Sequence, residues 1–378
     1  MSRSDRSTRA VVKKNLAVAL LAALILPPVA SAQRQAAPIN FETYDPVSML
    51  VVPGAPVERA RFPFIDVHSH QRRHTGSSLA VLVRQMDALN MAVMVNLSGG
   101  SGEPLQQAVA LMDRVAPGRF ATFANLNFRG IDDADWGTRA AAQLEQDVRV
   151  GGAKGLKIFK NLGMDIRDAQ GRRIPTNDPR FDPVWAKAGE LGIPVLIHTA
   201  EPPAFFLPPD STNERLLELR LFPNRAMPQD TFPPFETLMA EQHAVFRKHR
   251  NTTFINAHLG WYGQDLARLG QLFDEFPNMV AELGAVIYEP GRQPRTARAF
   301  FIEYQDRILM GKDSWIPAEY GTYFRVLESA DEYFPYHKKY HAFWRMYGLE
   351  LPDAVLRKIY FENALRVVPG LDRSRFPR

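Results

Sequence analysis

Two histidines stand one residue apart at the end of an apolar run. His68 and His70 close the segment PFIDVHSH, residues 63–70. Successive side chains of a strand point to opposite faces, so both imidazoles face one side and Ser69 faces the other. Two imidazoles on one face can chelate a metal ion. The alternative is one histidine in a buried hydrogen-bond network and one in solvent, and this fragment alone does not separate the two.

Further groups with metal-binding chemistry follow other apolar segments. His198 follows IPVLI, His258 follows TTFINA, Asp313 follows RILMGK, and Lys157 lies within AKGLKIFK. The chain has no cysteine, so any metal must bind to nitrogen and oxygen ligands. Neutral imidazoles and a carboxylate suit Zn²⁺, which turns a bound water into a nucleophile near neutral pH. Asp313 could bind the ion and accept the proton of the water, while His258 could polarise a carbonyl or act as a base.

The elements that must position these groups follow a regular pattern. Short apolar segments alternate with stretches of helical periodicity, notably residues 78–90, 236–248 and 351–368. Eight such segments predict eight buried strands: FPFIDVH, MAVMVNLS, RFATFANLN, AKGLKIFK, IPVLIHT, TTFINAHLG, NMVAELGAV and RILMGKDS. This alternation predicts an α/β fold, a single (β/α)8 TIM barrel over residues 62–378, rather than an open doubly wound sheet. The candidate groups would then meet at the carboxyl ends of the strands.

The first 32 residues have the pattern of a cleaved signal peptide. Five basic side chains precede an apolar run, and Ala30-Ser31-Ala32 supplies small residues for cleavage. We therefore expect an exported protein, periplasmic or secreted, with no membrane association after cleavage. This segment carries a net charge of +4 of the chain's +5, so the remainder carries about +1 and its charge gives no reason to expect nucleic acid as a partner. The expected partner is a small-molecule substrate.

Two segments outside the regular pattern are distinctive. Residues 33–61 are rich in proline and predict an arm on the domain, with a short strand over 48–52. A long loop after the fifth strand, residues 201–235, is rich in proline and phenylalanine, and loops of this length commonly bind ligands or form lids. Its aromatic side chains could wall an apolar pocket or form a satellite core under the loop: Phe205, Phe206, Phe222, Phe232 and Phe235.

The motifs HSH, LIHT, NAHLG, MGKD and YFENALRV, in this order, resemble those of the amidohydrolase superfamily. They are similar to its amidohydrolase-related branch, which contains aminocarboxymuconate-semialdehyde decarboxylase, aromatic-acid decarboxylases and lactone hydrolases. The resemblance extends from Phe64 to Pro369. It implies a divalent metal, usually zinc, on the residues matching His68, His70, His198 and Asp313, and a catalytic role for the residue matching His258. It also implies a homodimer.

Three further residues are candidates for substrate binding. Some superfamily members use a carbamylated lysine of the fourth strand to bridge two metal ions, and Lys157 occupies a comparable place. The alternative, which we favour, is that Lys157 is a cation that binds a carboxylate or supports a site with one metal ion. Arg72 follows the HSH motif and Arg292 follows the seventh strand, where guanidinium groups could bind a substrate carboxylate; solvation at the surface is the alternative.

These residues are compatible with three functions. The first is a metal-dependent hydrolase that uses an activated water on a small ester, lactone or amide, with or without a carboxylate. The second is a metal-dependent, non-oxidative decarboxylase of an aromatic or unsaturated carboxylic acid, which would use the same ligands. The third is a non-catalytic binding protein, which the complete ligand set disfavours. Export favours hydrolysis of an incoming compound.

Overall fold

Eight parallel strands form the centre of the protein. The computed structural model describes residues 40–341 and 344–377. Each strand pairs in parallel with the next one along the chain. The strands are β1 (Phe64–Ser69), β2 (Met91–Asn96), β3 (Phe120–Asn125), β4 (Gly155–Ile158), β5 (Val195–Ile197), β6 (Phe254–Asn256), β7 (Met279–Glu282) and β8 (Ile308–Leu309). All eight predicted strands are confirmed.

Hydrogen bonds between β1 and the residues that follow β8 bring the two ends of the sheet together. The amide of Val67 donates to Met310 O at 3.0 Å, and the amide of Asp313 donates to His68 O at 2.7 Å. We call this contact the closing seam. The strands thus form a nearly closed barrel with helices between them, which confirms the predicted (β/α)8 fold.

Helices cover the outside of the barrel. They are α1 (Gly76–Leu89), α2 (Glu103–Val115), α3 (Trp136–Arg149), α4 (Asn161–Met164), α5 (Asp182–Glu190), α6 (Leu216–Leu221), α7 (Phe235–Lys248), α8 (Leu266–Glu275), α9 (Tyr288–Arg292), α10 (Pro294–Glu303), α11 (Tyr320–Glu328), α12 (Asp353–Arg357) and α13 (Asn363–Val367). A π-helical turn, Lys358–Glu362, joins α12 and α13. A separate hairpin pairs β9 (Phe334–Pro335) with β10 (Arg345–Met346).

Helix α1 shows how local sequence fixes these elements. The Thr75 side chain accepts a hydrogen bond from the amide of Ser78, and the Ser78 side chain accepts one from the amide of Thr75. This capping box satisfies amides that have no partner inside the helix. The apolar residues at helical spacing are buried, as predicted: Leu79, Leu82, Met86 and Leu89. The strands they cover are almost entirely buried, as expected of a parallel sheet covered by helices.

The segment before β1 differs from its prediction. The predicted signal peptide, residues 1–32, lies outside the described residues. Residues 40–44 belong to a separate unit and form a turn. The predicted strand over 48–52 is wrong, because no strand in the described part of the chain pairs with it and Met49 and Val51 are almost fully exposed. No helix within residues 40–341 and 344–377 has the length and apolar character needed to cross a membrane.

The long connection between β5 and α7 contains two short turns and α6. Phe205 and Phe206 are buried, and the ring of Phe206 contacts that of Phe235 edge-to-face at 5.8 Å between centroids. Phe232 and Phe235 are partly buried against the main core, whereas Phe222 is more exposed. Apart from Phe222, these aromatic residues therefore belong to the main core or pack against it and do not form a separate satellite core, and Phe205 also lines the cavity described below.

Candidate active site

Imidazole and carboxylate groups converge at the carboxyl ends of the strands. His68 Nε2 lies 3.7 Å and His70 Nε2 3.5 Å from the same atom, Asp313 Oδ1. His258 Nε2 lies 3.3 Å from His198 Nδ1. The ring centroids of His68 and His258 are 5.0 Å apart. The structure thus brings together all five of the imidazole and carboxylate groups that the sequence places at strand ends.

The hydrogen bonds of His68 and His198 leave a lone pair on each ring for a metal ion, whereas the lone pair of His258 accepts from His198. Nδ1 of His258 lies 2.7 Å from Gly284 O, which can only accept, so this nitrogen carries the hydrogen and Nε2 a lone pair. The same reasoning applies to Nδ1 of His68, 2.9 Å from Glu282 Oε1. His198 can donate from Nδ1 to His258 Nε2, and its own Nε2 is buried without a hydrogen-bond partner in the described part of the chain.

This donor set fits a divalent metal ion. Ligand atoms of His68, His258 and Asp313 all lie within 4.8 Å of one another. Burial lowers the pKa of His70 to about 3 and that of His258 to about 4, so both rings are neutral near pH 7, the form that binds metal. Burial raises the pKa of Asp313, but this effect is outweighed by the neighbouring groups, which bring the pKa down to about 2 and keep the carboxylate ionised. These groups are His68, His258, His70 and Lys157.

Glu282 is a central residue that the sequence analysis missed. It is fully buried at the end of β7 and accepts hydrogen bonds from His68 Nδ1 at 2.9 Å, the His258 amide at 2.7 Å and the Gly284 amide at 2.5 Å. Burial raises its pKa, but His68 and His258 outweigh this effect and bring the pKa down to about 2, so Glu282 is ionised. Gly311 leaves room for this carboxylate, because a Cβ there would clash with Glu282 Oε2. The available signal was an acidic residue that ends an otherwise apolar strand.

Asp66 connects the two sides of the closing seam. Its carboxylate accepts hydrogen bonds from the His68 amide at 2.9 Å, the Lys312 amide at 3.1 Å and Tyr320 Oη at 2.5 Å. Burial raises its pKa to about 6 although these hydrogen bonds act in the opposite direction. Asp66 therefore fixes the backbone just before Asp313 relative to that of His68.

Several strand ends adopt left-handed backbone conformations without glycine. His258 has φ 59°, Ala285 φ 56° and Asp313 φ 80°, and each follows a different strand. The left-handed region costs a residue with a Cβ about 1–2 kcal/mol. Such strain persists only where surrounding contacts hold it, as the bond from the His258 amide to Glu282 does. These strained residues concentrate at the candidate site.

A cavity of about 240 Å³ opens onto this cluster. His198, His258 and Asp313 line its inner part, and the long loop after β5 contributes much of the remaining wall. The charged residues on the wall are Lys160, Glu201, Arg215, Glu218, Arg225 and Lys338. Lys160 forms an ion pair with Glu201. The cavity is therefore polar, with a volume suited to a small substrate.

The predicted substrate-binding residues lie in different surroundings. Arg72 is exposed, with Nε 3.4 Å from Ser98 Oγ, and Arg292 forms ion pairs with Glu289 and Glu214. Within residues 40–341 and 344–377, neither arginine is among those that line the cavity. Lys157 is buried beneath the site, and its Nζ has no hydrogen-bond partner among the described residues. Burial lowers the pKa of Lys157 to about 7 although Asp313 and Glu282 oppose this shift.

This buried amine should make the stability of the metal-free protein depend on pH. Between the pKa of about 7 in the folded protein and the ordinary lysine pKa of 10.5, the unfolded chain binds a proton at Lys157 that the folded chain does not. The free energy of unfolding should therefore fall as the pH is lowered through this window. Urea denaturation of chelator-treated protein at about pH 7 and about pH 9.5 measures the effect. Lys157→Met should reduce the dependence, and the exposed control Lys339→Met should retain it; equal slopes in all three proteins would contradict the prediction.

Comparisons with known proteins agree with this architecture. A family model described as "Amidohydrolase" matches residues 65–370. A 2,6-dihydroxybenzoate decarboxylase in complex with 2,6-dihydroxybenzoate is 17% identical, with a TM-score of 0.52 over 81% of this chain and 99% of that one. A dihydroxybenzoic acid decarboxylase from a Polaromonas species, with bound manganese and the inhibitor 2-nitroresorcinol, is 15% identical, with a TM-score of 0.51 over 81% and 96%.

An uncharacterised TIM-barrel protein from Bordetella bronchiseptica is similar to the same extent. It is 15% identical, with a TM-score of 0.52 over 80% of this chain and 97% of that one. No curated protein matches this chain. At these identities the solved structures establish the fold, while the family model covers most of the chain.

Proposed function

Because the chain belongs to the amidohydrolase family and is a metal-dependent enzyme of it, we propose that it hydrolyses a small ester, lactone or amide. The observation that carries this proposal is the position of Asp313. Its carboxylate contacts His68 and His70 on one side and lines the cavity on the other. The same group can thus help to hold the ion and take a proton from a water in the cavity.

The residues that would hold the ion in this proposal are His68, His70, His198 and Asp313, the set that the resemblance implies. Of these, His68 and Asp313 belong to the close group of ligand atoms, whose third member is His258. A bound divalent ion supplies Lewis acidity and makes a water acidic enough to react near neutral pH. Zn²⁺ is the ion we expect for imidazole and carboxylate ligands, and manganese is bound in one of the similar solved structures. Asp313, ionised near pH 7, accepts the proton and can return it to the leaving group.

His258 acts beside Asp313. Its Nδ1–H is committed to Gly284 O, and its Nε2, which carries no hydrogen, accepts from His198 Nδ1 at 3.3 Å, so it can take up a proton only in exchange for that hydrogen bond. A nitrogen with a lone pair accepts a proton and does not donate a hydrogen bond to a carbonyl. Of the two roles expected from the sequence, the hydrogen-bond pattern therefore favours that of a base.

Decarboxylation is the second candidate. The cationic side chains on the cavity wall could hold a carboxylate, and decarboxylases are named among the similar structures. Release of carbon dioxide requires a proton to be added to carbon, and Asp313 could deliver one after taking it from the water, as it would in hydrolysis. We place hydrolysis first because the predicted export favours the processing of an incoming compound. A non-catalytic binding protein is disfavoured because the ligand set is complete; export and dimer formation remain predictions.

Isotope incorporation distinguishes the two reactions. The metal-loaded protein should be incubated with panels of esters, lactones, amides and aromatic carboxylic acids in water enriched in ¹⁸O and, separately, in D₂O. We expect ¹⁸O in a product carboxylate and none in the Asp313→Asn variant, whereas the surface control Glu275→Gln should retain activity. Deuterium bonded to carbon, with release of carbon dioxide, would overturn the proposal in favour of decarboxylation. Inactivity on every panel despite bound metal would favour the binding protein.

A further inference from the structure

The cavity wall contains a cluster of charged residues that the reaction itself does not require. Arg215, Glu218 and Arg225 come from the long loop after β5, and His341 comes from the segment between the strands of the β9–β10 hairpin. Nε of Arg215 donates to Glu218 Oε2 at 2.6 Å, and Nη2 contacts the same oxygen. Nη1 of Arg225 contacts the other oxygen, Glu218 Oε1. Two guanidinium groups therefore share one carboxylate.

This sharing leaves the cluster with a net charge of about +1. His341 Nε2 lies 3.3 Å from Glu218 Oε2, but burial lowers the pKa of His341 to about 3, so the ring adds no charge near pH 7. Burial raises the pKa of Glu218, while His341 and Arg215 lower it to about 2, so the carboxylate is ionised. Unbalanced positive charge beside a small, partly enclosed cavity attracts an anion.

Arg215 is fixed inside the cluster. Its side chain is 5% exposed, its Nη1 donates to Tyr288 Oη at 2.7 Å, and its other two nitrogens contact Glu218. The rings of Phe205 and Trp344 lie 5.1 Å and 5.6 Å from the guanidinium carbon. With each nitrogen engaged, Arg215 has little capacity to bind a ligand.

Arg225 is the accessible member. Its side chain is 38% exposed, and its Nε and Nη2 have no hydrogen-bond acceptor within residues 40–341 and 344–377. The guanidinium carbon lies 4.3 Å from the ring centroid of Phe222 and 5.8 Å from that of Tyr340. These rings, which contact each other edge-to-face, limit the orientations of the guanidinium plane. A planar group held in this way, with free N–H donors, suits bidentate binding of a carboxylate.

We infer that the Arg215–Glu218–Arg225 cluster binds a carboxylate group of the substrate, remote from the group that reacts at Asp313, and that Arg225 makes the contact. The cluster's single excess charge matches a carboxylate monoanion. The inference rests on the proposed function for the identity of the reacting group, but the anion site itself can be tested without turnover. It places the specificity for an acidic substrate on the loop after β5 and not on Arg72 or Arg292.

Titration calorimetry with benzoate and benzamide tests this inference on the metal-loaded full chain. The two probes have nearly the same shape and differ in charge. In Arg225→Met, which retains an apolar chain against Phe222, benzoate affinity should fall about 30-fold while benzamide affinity is unchanged. Arg225→Lys restores the charge without the planar fork and should recover part of the loss. Arg215 and Glu218 remain as a neutral pair in both variants, so we expect both to fold.

The matched control is Arg247→Met. Arg247 also pairs with one glutamate and lies over an aromatic ring, but it is on the outer surface, near Glu275 and Phe276. This variant should bind benzoate as the wild type does. Unchanged benzoate binding in Arg225→Met, or an equal loss for benzoate and benzamide, would overturn the inference. If benzoate binding depended on Arg225 but the protein hydrolysed no substrate, the result would support the anion site and contradict only the proposed reaction.

Discussion

Replacing His198 or Asp313 with alanine should abolish metal binding and turnover together. Elemental analysis of the wild-type protein should find about one divalent ion per chain. Loss of a residue that only supports a metal ligand commonly weakens metal binding 10- to 100-fold, so loss of a direct ligand should exceed about 100-fold. The free Nε2 of His198 and the contacts of Asp313 with two histidines are the structural basis of this expectation.

A histidine outside the barrel provides the control for this experiment. His249 Nε2 lies 2.8 Å from Asp182, a pairing of imidazole and carboxylate that is not part of the site. His249→Ala should retain the full metal content and activity. About two ions per chain in the wild type would instead indicate a binuclear centre with a carbamylated Lys157. No metal after reconstitution, in a folded protein, would contradict the assignment of these residues as ligands.

The Glu282→Gln variant should lose both stability and metal affinity. The carboxylate accepts from three donors, and an amide of the same shape would place an N–H₂ group against at least one of them. A buried donor left without an acceptor costs about 1–3 kcal/mol, so we expect a loss of about 3 kcal/mol in the free energy of unfolding of the metal-free protein. The freed imidazole of His68 should weaken metal binding about 10- to 100-fold.

Urea denaturation and chelator-buffered metal titrations measure the two effects separately. The control is Glu241→Gln, another carboxylate with little exposure, which pairs with Arg173 and accepts from the amide of Thr176. That variant should lose stability but retain the metal affinity of the wild type. If Glu282→Gln bound metal as tightly as Glu241→Gln does, Glu282 would be a structural residue and not one that positions His68.

The sequence predicts the barrel and the convergence of the five strand-end groups because both depend on local pattern. Parallel strands buried on both faces are continuous apolar runs, and a group at the end of such a run must lie at one edge of the sheet. The position of His258 or Asp313 just after its strand is therefore sufficient to predict the end of the barrel at which it lies. The direction of each side chain depends on a left-handed backbone conformation that the sequence pattern does not show.

The role of Glu282 and the position of Arg225 could not be predicted in the same way. A single acidic residue at a strand end has the same pattern whether it faces a helix or three buried donors. Arg225 lies in a loop without periodicity, and its direction depends on Phe222 and on Tyr340, which is distant in sequence. The strand predicted over 48–52 failed for a related reason, since an apolar run becomes a strand only when a neighbouring strand pairs with it.

The closing seam has a consequence for synthesis of the protein. His68 is translated early, whereas Asp313 follows the last strand of the barrel. The hydrogen bond from the Asp313 amide to His68 O forms only when both residues are present. A nascent chain on the ribosome therefore exposes β1 as an unpaired edge on one side until β8 emerges. The ion site is completed by the same event that removes this edge, so the full ligand set can bind a metal ion only after the barrel has closed.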